Sequence, residues 1–234
     1  MTPDALVAEH LRDQLGWWPP RAPFEVAASP RRAQPGWDGV VRPVHGVTDG
    51  TGSTVLGVPP LHLDAVRALG SDWRSPAYGA GLAAVLGLDG PRRLRGSGLF
   101  RWCRQPAGTP DTGEWVDRHD PRVPGWLTPF TGGLLLAWDD QGEYGAGVGI
   151  KAHDRWADEI AVGTEPALRG RGIARLLVAT AAREIARRGR VALYLHAADN
   201  TASAHVADAA GFPDEGWRVL GLVRSDTPVA THEG

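Results

Sequence analysis

At 234 residues the chain is long enough for one sizeable domain or two small ones, and 42% hydrophobic with 22% charged residues is an ordinary globular composition. The net charge of −2 is evenly spread, 14 basic and 13 acidic side chains in residues 1–128 and 11 and 14 in the rest, so neither a nucleic acid nor a membrane surface is expected as a partner. No apolar run nears the ~20 residues of a membrane span, Met1 to Trp18 lacks a signal-peptide core, which makes a cytoplasmic location the expectation, and the single cysteine, Cys103, excludes an intrachain disulfide and a cysteine metal cluster.

The spacing of Leu6, Val7, Leu11 and Leu15 predicts a helix over residues 3 to 16, with Thr2 as N-cap and Pro3 at the first helical position. Trp17-Trp18-Pro19-Pro20 stops it. Prolines and scattered charges from Arg21 to Gly36 read as an irregular wrapping segment, anchored by the two tryptophans. Gly39 to His45 and Ser53 to Val58 read as paired strands around a turn at Thr48 to Gly52. Helices are expected after Pro59-Pro60 through Leu61, Leu63, Val66 and Leu69, and from Ala77 to Leu88, where Gly79 and Gly81 weaken the pattern. Leu94 to Arg104 reads as a strand, and Pro106 to Pro129 as loop.

From residue 130 the pattern sharpens. Gly133 to Trp138 and Tyr144 to His153 form a predicted hairpin about Asp139-Asp140-Gln141-Gly142, and Trp156 to Val162 is the third strand of the meander. A glycine-rich loop follows, then a helix to Arg188 stopped by Gly189, with Glu184 and Arg188 one turn apart. Val191 to Ala197 is a buried strand, Thr201 to Ala210 a helix capped by Gly211, and Gly216 to Val223 a last strand. Strand, crossover helix and parallel strand make a unit that places a ligand at the carboxyl edge of the sheet.

The loop carries the chemistry. Gly170 and Gly172 have no Cβ, so the backbone can take positive φ and admit a ligand close to its amides. The following helix start leaves unpaired N–H groups and a partial positive charge, which suits phosphate. Arg169 and Arg171 add forked donors for the same oxygens. A tight strand-to-helix connection with no ligand would use the same glycines.

Two ordered motifs add to that reading. Arg169-x-x-Gly172-x-Ala174, with its lead-in Val162-Gly-Thr-Glu-Pro-Ala-Leu-Arg169, resembles the signature of the GNAT superfamily of acyl-CoA N-acyltransferases. Asn200-Thr-Ala-Ser203, running on to Gly211-Phe212, is similar to that family's asparagine-x-x-serine helix. The resemblance covers roughly residues 130 to 223. It implies an α/β fold with a mixed sheet, a GNAT domain at 129–224, and an N-terminal region at 1–128 that is a degenerate acyltransferase-like half or a cover for the acceptor site; residues 225–234, at the chain end, are expected to form a flexible tail.

The implied reaction is transfer of an acyl group, acetyl first, from acyl-CoA to a small-molecule or peptide amine by direct attack on the thioester. The resemblance puts the pyrophosphate on Arg169, Gly170, Arg171, Gly172, Ile173 and Ala174. The pantetheine arm would pair with Ile160, Ala161 and Val162 as an added strand, and Asn200 and Ser203 complete the cofactor side. A base is needed because amines near pKa 10 are protonated at neutral pH. Asp158 and Glu159 alternate in direction, so only one serves; the family register favours Asp158, on the face of Trp156. His196 is the other candidate, and His153 and His205 receive less weight. Ala207 stands where many members carry a tyrosine that protonates the departing thiolate. No spacing suggests a metal, and a homodimer is an admissible assembly. Two alternatives stay open: a catalytically silent acyl-CoA-binding or regulatory module, and a nucleic-acid contact at Arg169-Gly-Arg171-Gly, which the acidic C-terminal half opposes.

Overall fold

The computed structural model describes residues 1–224; the tail expected over 225–234 lies outside the described residues. In chain order the elements are α1 (Pro3–Leu15), β1 (Phe24–Ala28), β2 (His45–Thr48), β3 (Thr54–Val58), α2 (Leu63–Arg67), α3 (Pro76–Val85) and β4 (Arg92–Trp102). There follow β5 (Glu114–Val116), β6 (Leu134–Trp138), β7 (Tyr144–Ala152), β8 (Ala157–Thr164), α4 (Ile173–Arg187), β9 (Val191–His196), α5 (Thr201–Ala210) and β10 (Arg218–Arg224). The fold is mixed α/β. Two compact units interleave along the described chain: one holds Met1–His10, Arg101–His196 and Thr201–Asp214, the other Leu11–Phe100, Ala197–Asn200 and residues 215–224.

In the second unit the strand order is β1-β3-β2-β10-β4, with β1 parallel to β3 and the remaining pairs antiparallel. Its core joins Val26, Leu56 and Val58 from the strands to Val66 of α2 and Tyr78 and Leu82 of α3. Ser75 caps α3 by accepting the Tyr78 N–H, and Pro76 sits at the first helical position. Gly79 survives inside this helix for a packing reason: a Cβ there would lie 2.5 Å from the Arg93 backbone.

Three expectations in this unit are corrected. Arg21 to Gly36 is not wholly irregular, because Phe24–Ala28 pairs along its length with Thr54–Val58; the five residues of this strand are too few for a visible period. The strand expected over Gly39 to His45 instead begins at His45, since Pro43 brings no N–H to a ladder. The helix after Pro59-Pro60 shortens to a 3₁₀ turn at Pro60–His62 followed by α2.

In the first unit the order is β9-β8-β7-β6-β5, antiparallel except for the parallel pair β8 and β9. The loop expected over Pro106 to Pro129 contributes β5, three residues paired with Leu134–Leu136. The other expected elements from residue 133 to 210 are present within a few residues. Helix α4 lies across β8, β7 and β9, and its apolar face, including Leu177, Val178, Ala181 and Ile185, fills a core with Val148, Ile150, Ile160, Tyr194, Ala207 and Phe212. The opposite face of β7 and β8 is built from small residues. Gly149 admits the Phe130 ring, Gly147 the Leu127 side chain and Gly163 the Trp126 ring, each so close that an added Cβ would fall within 3.0 Å.

Candidate functional site

Strand β8 divides at its middle. Ala157 to Ile160 pair in parallel with Val191 to Tyr194 and are buried, whereas the ladder with β9 goes no further and Ala161 to Thr164 are half-buried. Across its other edge β8 keeps its β7 partners as far as Thr164. The outer edge of residues 161–164 therefore offers backbone donors and acceptors to an added extended chain. Of the residues expected to hold a pantetheine arm, Ala161 and Val162 lie on this open edge, and Ile160 is the last paired residue before it.

The open edge leads to the glycine loop. A 3₁₀ turn at Pro166–Leu168 brings the chain round, Gly170 and Gly172 adopt φ of +75° and +76°, and Ile173 starts α4. The first helical bond is made by the Leu176 N–H to the Gly172 carbonyl, so the amides of Ile173, Ala174 and Arg175 have no intrahelical acceptor. Nothing lies within 4 Å of the position a Cβ would take on Gly170. This is a concave set of N–H groups at a helix start, the geometry that binds phosphate oxygens.

Arginines rim the loop unequally. Arg169 is exposed, yet its amide bonds the Pro166 carbonyl and its Nε donates to the Thr164 carbonyl at 3.3 Å, which ties it to the end of β8. Arg171 is exposed. Arg175, not singled out from the sequence, holds Nε 2.9 Å from where a Cβ on Gly172 would sit. It is one turn into an amphipathic helix, where an arginine reads as a solvated face.

Asp158 and Glu159 point to opposite faces, as strand alternation requires. Asp158 lies on the α4 face with Ile160, has no exposed surface, and receives Arg190 Nη1 at 2.9 and 3.1 Å on its two oxygens. Burial pushes its carboxyl upward and Arg190 opposes that incompletely, so its pKa stands above the usual aspartate range.

Glu159 lies on the other face, where the hairpin register sets it opposite Lys151. It receives Lys151 Nζ on Oε1 and His153 Nε2 on Oε2, the latter at 3.0 Å. Burial pushes the Glu159 carboxyl up, but the His153 hydrogen bond and the Lys151 charge outweigh it and pull the pKa down to about 2. A second imidazole stands beside the first: His10 and His153 have ring centroids 5.8 Å apart, and His10 Nδ1 lies 2.6 Å from Asp154 Oδ2. Burial raises the Asp154 carboxyl, and the His10 bond with the amides of Trp156 and Ala157 more than reverses it, holding it well below the usual range. Sequence spacing gives no sign of His10, 144 residues from Asp154. Lys151 and His153 were legible in principle, as alternate residues on the second strand of the predicted meander, facing Glu159 on the third.

On the opposing strand, His196 ends β9, buried, with its ring 6.0 Å from that of Tyr194. Asn200 immediately precedes α5 and its amide closes a turn to the Ala197 carbonyl. Ser203 bonds the Tyr194 phenol, whose pKa burial raises despite that bond. Tyr194 thus sits in the same core as Ala207, one turn beyond Ser203 on α5. The core that holds the alanine also holds a phenol, carried by β9.

Among the described residues no group of three or more histidine, cysteine, aspartate or glutamate side chains is arranged to hold a metal ion, and no helix is long and apolar enough to cross a membrane.

Residues 98–212 match the model of the acetyltransferase (GNAT) family. No curated protein matches the chain. Among solved structures, it is similar to a GNAT-family acetyltransferase from Colwellia psychrerythraea, at 15% identity over 55% of this chain and 56% of that one, with a TM-score of 0.44. A putative GNAT-family acetyltransferase from Novosphingobium aromaticivorans matches at 21% identity over 65% and 82%, with a TM-score of 0.45. A GCN5-related N-acetyltransferase-like protein from Streptococcus suis matches at 16% identity over 62% and 67%, with a TM-score of 0.42. The chain therefore spans little more than half the length of the Colwellia protein.

Proposed function

Residues 98–212 constitute a domain of the GNAT acetyltransferase family, and from that premise we propose that the protein is an acyl-CoA-dependent N-acyltransferase. It moves an acetyl group from acetyl-CoA to an amine on a small molecule or a peptide. The observation that carries this reading is the continuity between the open outer edge of Ala161–Thr164 and the free amides at the start of α4. An elongated molecule with an anionic head and an amide-bearing arm fits that path: the head on the amides of residues 170–175, the arm paired with residues 160–162, and the thioester where β8 and β9 part.

A specific observation favours a second reading, a silent acyl-CoA-binding module. Both strand carboxylates are committed to cationic or imidazole partners, and Ala207 holds no hydroxyl. Both readings require acyl-CoA binding, and they part on turnover.

The experiment is thermal unfolding of the full chain with and without acetyl-CoA, beside Gly172→Glu, which sets a carboxylate where phosphate should sit. Ligand at 100 times its dissociation constant adds about 2.7 kcal/mol of stability. A shift in the wild type that a still-folded variant lacks supports the cofactor assignment. Its absence in a wild type free of co-purified CoA removes both readings.

A further inference from the structure

We propose that His153 is the general base of the acyl transfer, with Glu159 as the positioning residue that orients its ring. The inference rests on the acyltransferase reading and identifies, within that site, a group to which motif spacing lends little weight.

The reaction joins an amine nitrogen to the thioester carbonyl carbon, breaks the carbon–sulfur bond and releases the CoA thiolate. The nitrogen sheds one proton, and that proton needs an acceptor. An imidazole changes charge between pH 5 and 8, which suits the task. Neither strand carboxylate suits it. Asp158 has no exposed surface, spends both oxygens on Arg190 and faces the filled α4 core. Glu159 spends both oxygens on Lys151 and His153, and its low pKa makes it a weak proton acceptor. Access argues the same way, because the α4 face of Ile160 is packed with Leu177 and Val178. The other face carries Lys151, His153 and Glu159 beyond the Phe130 ring, which packs at Gly149 opposite Ala161, and in the proposed reaction the amine comes in between that ring and the β7–β8 turn.

Of the two imidazoles there, the His10 side chain is 5% exposed and the His153 side chain 20%. The His153 Nε2–H donates to Glu159 Oε2, which leaves the lone pair on Nδ1, for which no protein partner occurs among the described residues. This is the arrangement of a carboxylate-oriented base. His153 directly follows Ala152, whose pairing with Asp158 ends the β7–β8 ladder, which sets it about three strand positions, or about 10 Å, from Ile160, so the proton travels through water. The charged or titratable groups around His153 are Glu159 and Lys151 on the strands, His10 on α1, Asp154 in the β7–β8 turn, and Asp158 acting by charge from the opposite face.

The test follows free-thiol release from acetyl-CoA with a panel of primary amines between pH 6 and 9, together with the acetyl-CoA thermal shift of each variant. In the wild type, kcat/KM rises through the imidazole range. His153→Gln is expected to lose 10²- to 10⁴-fold in kcat and to lose that limb of the profile, with the thermal shift retained. His153→Asn serves as the second variant if the first does not fold. Glu159→Gln is expected to lower kcat by less, with the KM for acetyl-CoA unchanged. A His153 variant that keeps both rate and limb overturns the assignment and leaves the transferase standing. A wild type that binds acetyl-CoA but releases no thiol with water or any amine overturns the transferase reading, and the base with it.

Discussion

Arg190 holds one guanidinium nitrogen 2.9 Å from Oδ1 and 3.1 Å from Oδ2 of Asp158, a carboxylate with no exposed surface, while its own side chain is 32% exposed. The two partners are therefore not equivalent. Replacing Arg190 with methionine strands a buried charge, and breaking such pairs costs about 3–5 kcal/mol; the partial exposure of Arg190 puts the expected loss near the lower figure. Replacing Asp158 with asparagine leaves an arginine that can turn to water and should cost less. The penalty in Arg190→Met has a pH signature. A carboxyl whose folded-state pKa is raised is penalised fully above that pKa, and the penalty fades as pH falls toward the unfolded value of about 3.9. Urea unfolding at pH 7 and pH 4.5 checks both statements: the gap between wild type and Arg190→Met should narrow at the lower pH.

Glu159 gives the opposite sign. Its folded-state pKa, about 2, lies below that of an unfolded glutamate. Its ionisation therefore contributes stability that is present above about pH 4.3 and is lost as pH falls through 2. The size is about 3 kcal/mol at one pKa unit per 1.36 kcal/mol. Melting temperatures of the wild type and Glu159→Gln, measured from pH 7 down to pH 2.5, should converge toward the acid end. Parallel curves would mean that the Lys151 and His153 contacts hold no net charge energy.

The path from β8 to α4 was legible because its signals are local. Gly170 and Gly172 mark positive φ, Ile173 onward marks a helix, and Ile160 to Val162 marks the strand before it. The direction of Asp158 and Glu159 followed from strand alternation alone. What the sequence concealed is long-range pairing. Arg190 meets Asp158 across 32 residues and His10 meets Asp154 across 144, and no periodicity carries such information. Strand β1 was hidden for another reason: its five residues are too few to show alternation, and its partner β3 defines it.

The glycine loop separates backbone strain from ligand access. At Gly170, φ is +75° and nothing lies within 4 Å of the position an added methyl would take, so Gly170→Ala meets only the left-handed penalty of about 1–2 kcal/mol. At Gly172 the added methyl also meets Arg175 Nε at 2.9 Å, the end of a flexible side chain that can withdraw. The two variants should therefore lose similar stability. Calorimetric titration with CoA should show Gly172→Ala binding more weakly, because its methyl enters the amide cradle directly beside Ile173. Equal affinity in both variants and the wild type would place the pyrophosphate elsewhere.

The small-residue face of β7 and β8 gives a graded packing test. A methyl on Gly149 would fall 2.5 Å from two atoms of the ring of Phe130, a residue 7% exposed, and 2.9 Å from Leu127 Cδ2. A methyl on Gly163 would fall 2.9 Å from Trp126, whose ring is 40% exposed. A buried ring has nowhere to go, so Gly149→Ala should cost about 1–3 kcal/mol as overpacking. Gly163→Ala should cost less, because Trp126 can swing toward solvent. Gly149→Ala combined with Phe130→Leu should recover part of the loss, since the smaller side chain vacates the ring position. The coupling in that double-mutant cycle is expected to be favourable, at about 0.5–3 kcal/mol. Denaturant unfolding of the four proteins supplies it, and simple additivity would mean that the Phe130 ring is not what Gly149 accommodates.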